Sequence, residues 1–170
     1  MAEDFTPTGV EDVAGAPESA NAAPADFNLD TDYKAPSLVP AGRYRGSVIA
    51  VKFNPKDNSI DWEVSLNGNG GVCSDGVTPV DGIHLDYRNW LPNAGDENQM
   101  TKKGKQTKRQ AKINMLKDFA DAMKIDMGTR EKIVEALQNM SWVGREVYVA
   151  CIVADYQGRF FNRLDTMVSV

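Results

Sequence analysis

Residues 59–66, Ser-Ile-Asp-Trp-Glu-Val-Ser-Leu, alternate apolar and polar without a break. In an extended chain Ile60, Trp62, Val64 and Leu66 share one side, and Ser59, Asp61, Glu63 and Ser65 share the other. Such a strand has one dry face and one wet face, and four further stretches have strand character. Residues 43–53 are β-branched and aromatic, but their apolar phase slips: Tyr44 and Val48 have one parity, and Ile49, Val51 and Phe53 the other. That slip beside Gly46 predicts a bulge in a strongly curved strand. Over 83–91, Ile83, Leu85, Tyr87 and Leu91 oppose His84, Asp86, Arg88 and Trp90. Over 145–154, Val147, Val149, Cys151 and Val153 point inward, and after a turn at 155–158 a last strand runs over 159–168.

Between the third and fourth strands the period changes. Ile113, Leu116, Phe119, Ala120 and Met123 recur every three or four residues, as on one face of a helix. Asp126-Met-Gly-Thr129 interrupts the pattern, and a second short helix follows with Ile133, Val134, Leu137 and Met140 on one face. Thr129 is its expected N-cap and Glu131 suits its first turn. A glycine-bearing loop, 67–82, joins the second and third strands. The resulting order is β-β-β-α-α-β-β. Five strands with a helical insert between the third and fourth is the layout of an OB-fold-like barrel. An α+β sheet with helices on one face is the competing arrangement.

Charge divides the chain in two. The 170 residues carry a formal net charge of −5. Residues 1–42 hold eight acids and one base, net −7, whereas 43–170 hold 18 bases and 16 acids, net +2. Five of the eight prolines also fall in 1–42. Low apolar content and high charge leave too little burial to offset the ordering entropy, so 1–42 reads as an acidic, Pro/Ala-rich arm, disordered or extended. Phe5, Phe27, Leu29 and Tyr33 give it points to dock on a partner or on the domain. Residues 43–170 form the expected OB-fold-like domain, of a size suited to one core.

Several classes are disfavoured. No apolar run approaches the roughly 18 residues that span a bilayer. The opening Met-Ala-Glu-Asp-Phe has neither the positive charge nor the apolar stretch of a secretory signal. Two cysteines, Cys73 and Cys151, and one histidine, His84, support neither a disulfide framework nor a tetrahedral zinc site. No cofactor is expected, and a reducing cytoplasm is the expected compartment.

The strongest local signal is the run 101–117, which contains Lys102, Lys103, Lys105, Lys108, Arg109, Lys112 and Lys117 and no acid. Charge runs are usually solvated surface. An acid-free run of this length in an acidic protein points instead to a polyanion. The second signal lies in the last strand, where Arg159, Phe161 and Arg163 share one parity and Phe160, Asn162 and Leu164 the other. With Phe160 and Leu164 in the core, the outer face presents cation, ring, cation. Unpaired bases stack on such rings while guanidinium groups hold phosphates. Packing of Phe161 under the arm or against another subunit is the plainer explanation. Tyr156 and Trp90 are further candidate platforms, and Arg43 and Arg45 flank Tyr44 in a weaker version of the pattern.

Enzyme signals are poor. Lys103-Gly-Lys-Gln106 lacks the GxxxxGK[ST] spacing of a phosphate loop. His84 with Asp86, and Asp61 with Glu63, are two apart on strands, a spacing that wet faces produce by default. Neither cysteine has a neighbouring base to activate it. The methionines read as core filling.

Three segments carry a resemblance: Leu38-Val-Pro-Ala-Gly42-Arg-Tyr44 leading into the first strand, Trp142-Val-Gly144-Arg-Glu-Val-Tyr-Val149 leading into the fourth, and Asp155-Tyr156-Gln-Gly158 followed by Phe161-Asn162-Arg163. Over residues 26–168 the chain resembles the small OB-fold single-stranded-DNA-binding proteins of tailed bacteriophages. The resemblance implies binding of single-stranded DNA without strong sequence preference, in phage replication or recombination. Family members commonly carry an acidic tail at the C-terminus; here the acidic segment is N-terminal. The arm would then meet phage or host replication and recombination proteins, and self-association is compatible with the same surfaces. The rival from another class is a virion cement or accessory protein whose arm wraps neighbouring subunits. A third reading is a magnesium-dependent nuclease using Asp61, Glu63 and Asp86.

Overall fold

The structure, a computed structural model, describes residues 26–170. The expectation of a disordered or extended arm over 1–25 lies outside the described residues. Residues 26–35 belong to a separate unit and contain one helical turn, α1 (Leu29–Asp32). Asn28 caps it, its side chain accepting from the Asp30 amide at 2.9 Å. No side chain of this turn is buried.

The second unit runs from Pro36 to Val170. It therefore includes residues 36–42, which the sequence assigns to the arm, and Val39 is wholly buried in it. Its elements are β1 (Gly42–Asn54), β2 (Ser59–Leu66), β3 (His84–Trp90), a 3₁₀ turn (Asp96–Asn98), α2 (Lys108–Met123), α3 (Arg130–Gln138), β4 (Glu146–Tyr156) and β5 (Arg159–Ser169). The order is the one the periodicities predict. All five strands join one antiparallel sheet in the order β3-β2-β1-β4-β5. The edge strands β3 and β5 approach to within 8 Å between Cα atoms without a hydrogen-bonded ladder, and α2 lies against both.

The dry face of β2 is as predicted: Ile60, Trp62, Val64 and Leu66 are buried. Trp62 is the hub. It stacks on Trp142 at 5.2 Å and meets the edge of Phe119 at 5.2 Å, and Phe119 stacks on Tyr87 at 5.3 Å. Its indole N–H donates to the buried Asn89 Oδ1 at 2.7 Å, so the ring enters the core without an orphaned donor.

The bulge in β1 is real but displaced from its predicted place. It falls between Val48 and Ala50, which leaves Ile49 unpaired and exposed. Gly46 serves a different need: a Cβ there would lie 2.7 Å from Val64 Cγ1 and 2.8 Å from the Ser65 carbonyl. A second bulge lies in β5, where Asp165 is the extra residue between Leu164 and Thr166 opposite Cys151 and Ala150, so Leu164 and Met167 both face the core. Val153 and Phe160, expected inside, are exposed because the β4–β5 ribbon outruns the core. Val134 and Met140 of the second helical segment are exposed as well, whereas Trp142 beyond it is buried. Thr129 caps α3 as predicted, accepting from the Lys132 amide at 3.3 Å. Among the described residues no helix is long and apolar enough to cross a membrane.

Candidate nucleic-acid interface

The β4–β5 ribbon is closed by two residues, Gln157 and Gly158, with φ of 53° and 78°. Positive φ at both positions is the turn that matches the twist of paired strands. The Asp155 carboxylate accepts from the Gly158 amide at 2.8 Å and fixes it. The turn sets the register: Tyr156 opposes Arg159, Ala154 opposes Phe161, and Ile152 opposes Arg163. These pairs lie on the face opposite the buried Cys151–Leu164 pair. Arg159, Phe161 and Arg163 are therefore presented outward together, with Tyr156 beside them.

The ribbon tip has little beneath it, yet it is anchored. Asn162 Oδ1 accepts from the Val39 amide at 2.8 Å, and its Nδ2 donates back to the Val39 carbonyl at 2.8 Å. One amide side chain thus pairs with the chain as a neighbouring strand would. Nothing in the alternation singles out Asn162 for this role. Its Nδ2 also reaches the Cys151 sulfur at 3.3 Å. Burial pushes the Cys151 thiol up, against the pull of Asn162, which suits an inert core thiol. Beyond this clamp Phe161 is 43% exposed and Tyr156 67%. Neither Arg159 nor Arg163 has an ion-pair partner among the described residues.

The cationic run divides into a presented part and a committed part. Met100 bridges Thr107, the Lys108 amide donates to the Gln99 carbonyl at 2.7 Å, and Gly104 turns the tip with φ of 64°. Lys102, Lys103 and Lys105 ride on this closed loop, exposed and without ion pairs among the described residues. Thr107 then caps α2, accepting from the Gln110 amide at 3.1 Å. Lys108 Nζ reaches Gln99 Oε1 at 2.6 Å, and Arg109 stays free. Cations in a first turn oppose the helix dipole, so these bases do not serve the stability of α2. They reinforce a positive end.

Lys112 differs. Its Nζ lies 2.8 Å from Asp96 Oδ2, and the two side chains are only 21% and 9% exposed. Hydrogen bonds from Lys112 and the Asn93 amide hold the Asp96 carboxyl below the usual carboxylate range. The structure commits Lys112 to a partner that ties the 3₁₀ turn to α2. Lys117 likewise pairs with Asp121.

The remaining candidates lie on β1 and β3, and most are compensated. Arg45 pairs with Glu146, whereas Arg43 is free. The Arg88 guanidinium lies 5.2 Å over the Trp90 ring, so one face of that ring is occupied. Arg88 also forks onto Asp61, Nε to Oδ1 at 2.7 Å and NH2 to Oδ2 at 2.8 Å, and reaches Asp57 at 2.8 Å. Burial pushes the Asp61 carboxyl up, but hydrogen bonds from Arg88, Asn54 and Ser59 outweigh it and hold it low. His84 Nδ1 is 2.8 Å from Glu63. Asp61, Glu63 and Asp86 line one shallow groove, but among the described residues no three His, Cys, Asp or Glu side chains are arranged to hold a metal ion. On the outer face of β2 and β3, Arg88 and His84 are thus paired with acids, whereas Lys102, Lys103, Lys105, Arg109, Arg159 and Arg163 have no ion pair among the described residues.

No protein-family model matches this chain, and no curated protein matches it.

Proposed function

We propose that this chain is a five-stranded OB-type barrel that binds single-stranded DNA with little regard to sequence, in phage replication or recombination, and does so without catalysis. The strand order with α2 beside the gap between β3 and β5 supports the barrel. The observation that carries the binding is the ribbon face itself: Arg159, Phe161 and Arg163 with Tyr156, outward, anchored, and without internal partners. Rings on a stiff ribbon stack bases without reading them, and flanking guanidinium groups hold the phosphates between. Lys102, Lys103, Lys105 and Arg109 supply further phosphate contacts. The acidic β2–β3 face directs the strand away from the surface that OB-folds commonly use.

Titration of oligo-dT against duplex DNA, read by Tyr and Trp emission over a range of salt, tests this. Oligo-dT quenches the emission and binds more tightly than duplex. With about four to six phosphates neutralised, log K falls against log[salt] with a slope of roughly −3 to −4. Phe161→Ala weakens binding by about 1–3 kcal/mol at an unchanged slope. Indifference to thymidine homopolymers in dilute buffer ends the reading.

A further inference from the structure

The ribbon carries a second unpartnered ring, on its other face. Phe160 opposes Asp155 and shares the side of Asn162 and Leu164, which in a shorter hairpin would place it in the core. The core ends at Leu164, and four residues farther along the strand Phe160 is 57% exposed, more open than Phe161. Val153 on the same side is exposed as well. Neither phenylalanine stacks on another ring or on a cation among the described residues. Two adjacent rings therefore stand on opposite faces of a ribbon held by a two-residue turn and by the Asn162 clamp.

The two faces differ in charge. The outer face has Arg159 and Arg163; the face of Phe160 has Val153 and Asp155 and no base. A phosphate is repelled there, and a neutral base is not. We propose that Phe160 is a second base-stacking platform and that a bound single strand turns across the ribbon tip, stacking on Phe161 outside and on Phe160 inside. The inference rests on the DNA-binding reading above. It makes Phe160 a determinant of ligand length: a short strand fills the cationic face alone, and only a longer one reaches both rings.

The test uses the full chain with thymidine oligomers of about five and about fifteen nucleotides, lengths that bracket the span of one OB domain. Phe160→Ala weakens the longer oligomer about tenfold, leaves its salt slope and the thermal midpoint unchanged, and does not affect the shorter one. Phe160→Trp restores affinity, and its added emission is quenched by the longer oligomer only. If Phe161→Ala is weakened while Phe160→Ala binds both lengths like wild type, the second platform is overturned and the first reading stands. If the wild type binds neither length, both fall. A lower thermal midpoint in Phe160→Ala with no quenching in Phe160→Trp assigns the ring to structure and overturns the proposal. A change of oligomeric state in Phe160→Ala, with DNA binding intact, assigns it to a second copy and overturns it equally.

Discussion

Gly46 shows how one missing carbon admits two strands to each other. Its neighbours across the β1–β2 ladder are a branched side chain and a backbone carbonyl, and neither yields cheaply to an added methyl. Gly46→Ala is therefore expected to destabilise the domain by about 1–3 kcal/mol, measured by urea or thermal unfolding. Gly42→Ala is the control. It sits in the same strand, its added Cβ comes no closer than 3.4 Å to Tyr44, and the loss of unfolded-chain freedom favours the folded state slightly. Equal costs at the two sites would refute the packing argument. The sequence marks Gly46 as special because a glycine interrupts a strand. It does not say whether the reason is a bulge or a close approach, because both use the absence of Cβ.

At the scale of elements, what was legible depended on whether the pattern had one phase or two. β2 has one, and Ile60, Trp62, Val64 and Leu66 are buried as it predicts, although Ser59 at its start is buried with them. Just inside its start β5 has two phenylalanines in succession, so the face of each depends on register, and exposure depends on where the core stops. The register was available as far as the bulge: Gln157-Gly158 as a two-residue turn fixes the pairs from Tyr156–Arg159 to Cys151–Leu164. Where the core stops was not, since that depends on how far β1 runs beside β4, a contact between distant segments. The cationic run hides the same difficulty, because Lys112 looks like its neighbours until Asp96 is brought beneath it. That pair has a pH signature. The Asp96 carboxyl titrates lower folded than unfolded, so the stabilisation is complete above the ordinary aspartate value of about 4 and is lost as pH falls through the lowered value. Asp96→Asn removes this. The thermal midpoint of the variant should fall below wild type at neutral pH, and the gap should close in acid. A gap that stayed constant with pH would assign the loss to the Asn93 hydrogen bond and not to the ion pair.

For the whole molecule, the sign of the net charge conceals that of the part proposed to bind. Residues 2–30 contain seven acids and no base, so their removal takes the formal net charge from −5 to +2. An excess of fixed negative charge tethered to the domain lowers the local potential that a phosphate chain meets on approach. Screening limits its reach, to about 30 Å in 0.01 M salt and about 8 Å in 0.15 M. Deleting 2–30 should therefore tighten oligo-dT binding in dilute buffer, chiefly through the association rate, and the advantage should shrink towards physiological salt. Stopped-flow titration of both chains across that range separates the causes. An advantage that survives undiminished in high salt cannot come from screened charge, and no advantage in dilute buffer would leave the acidic segment without an electrostatic part in binding.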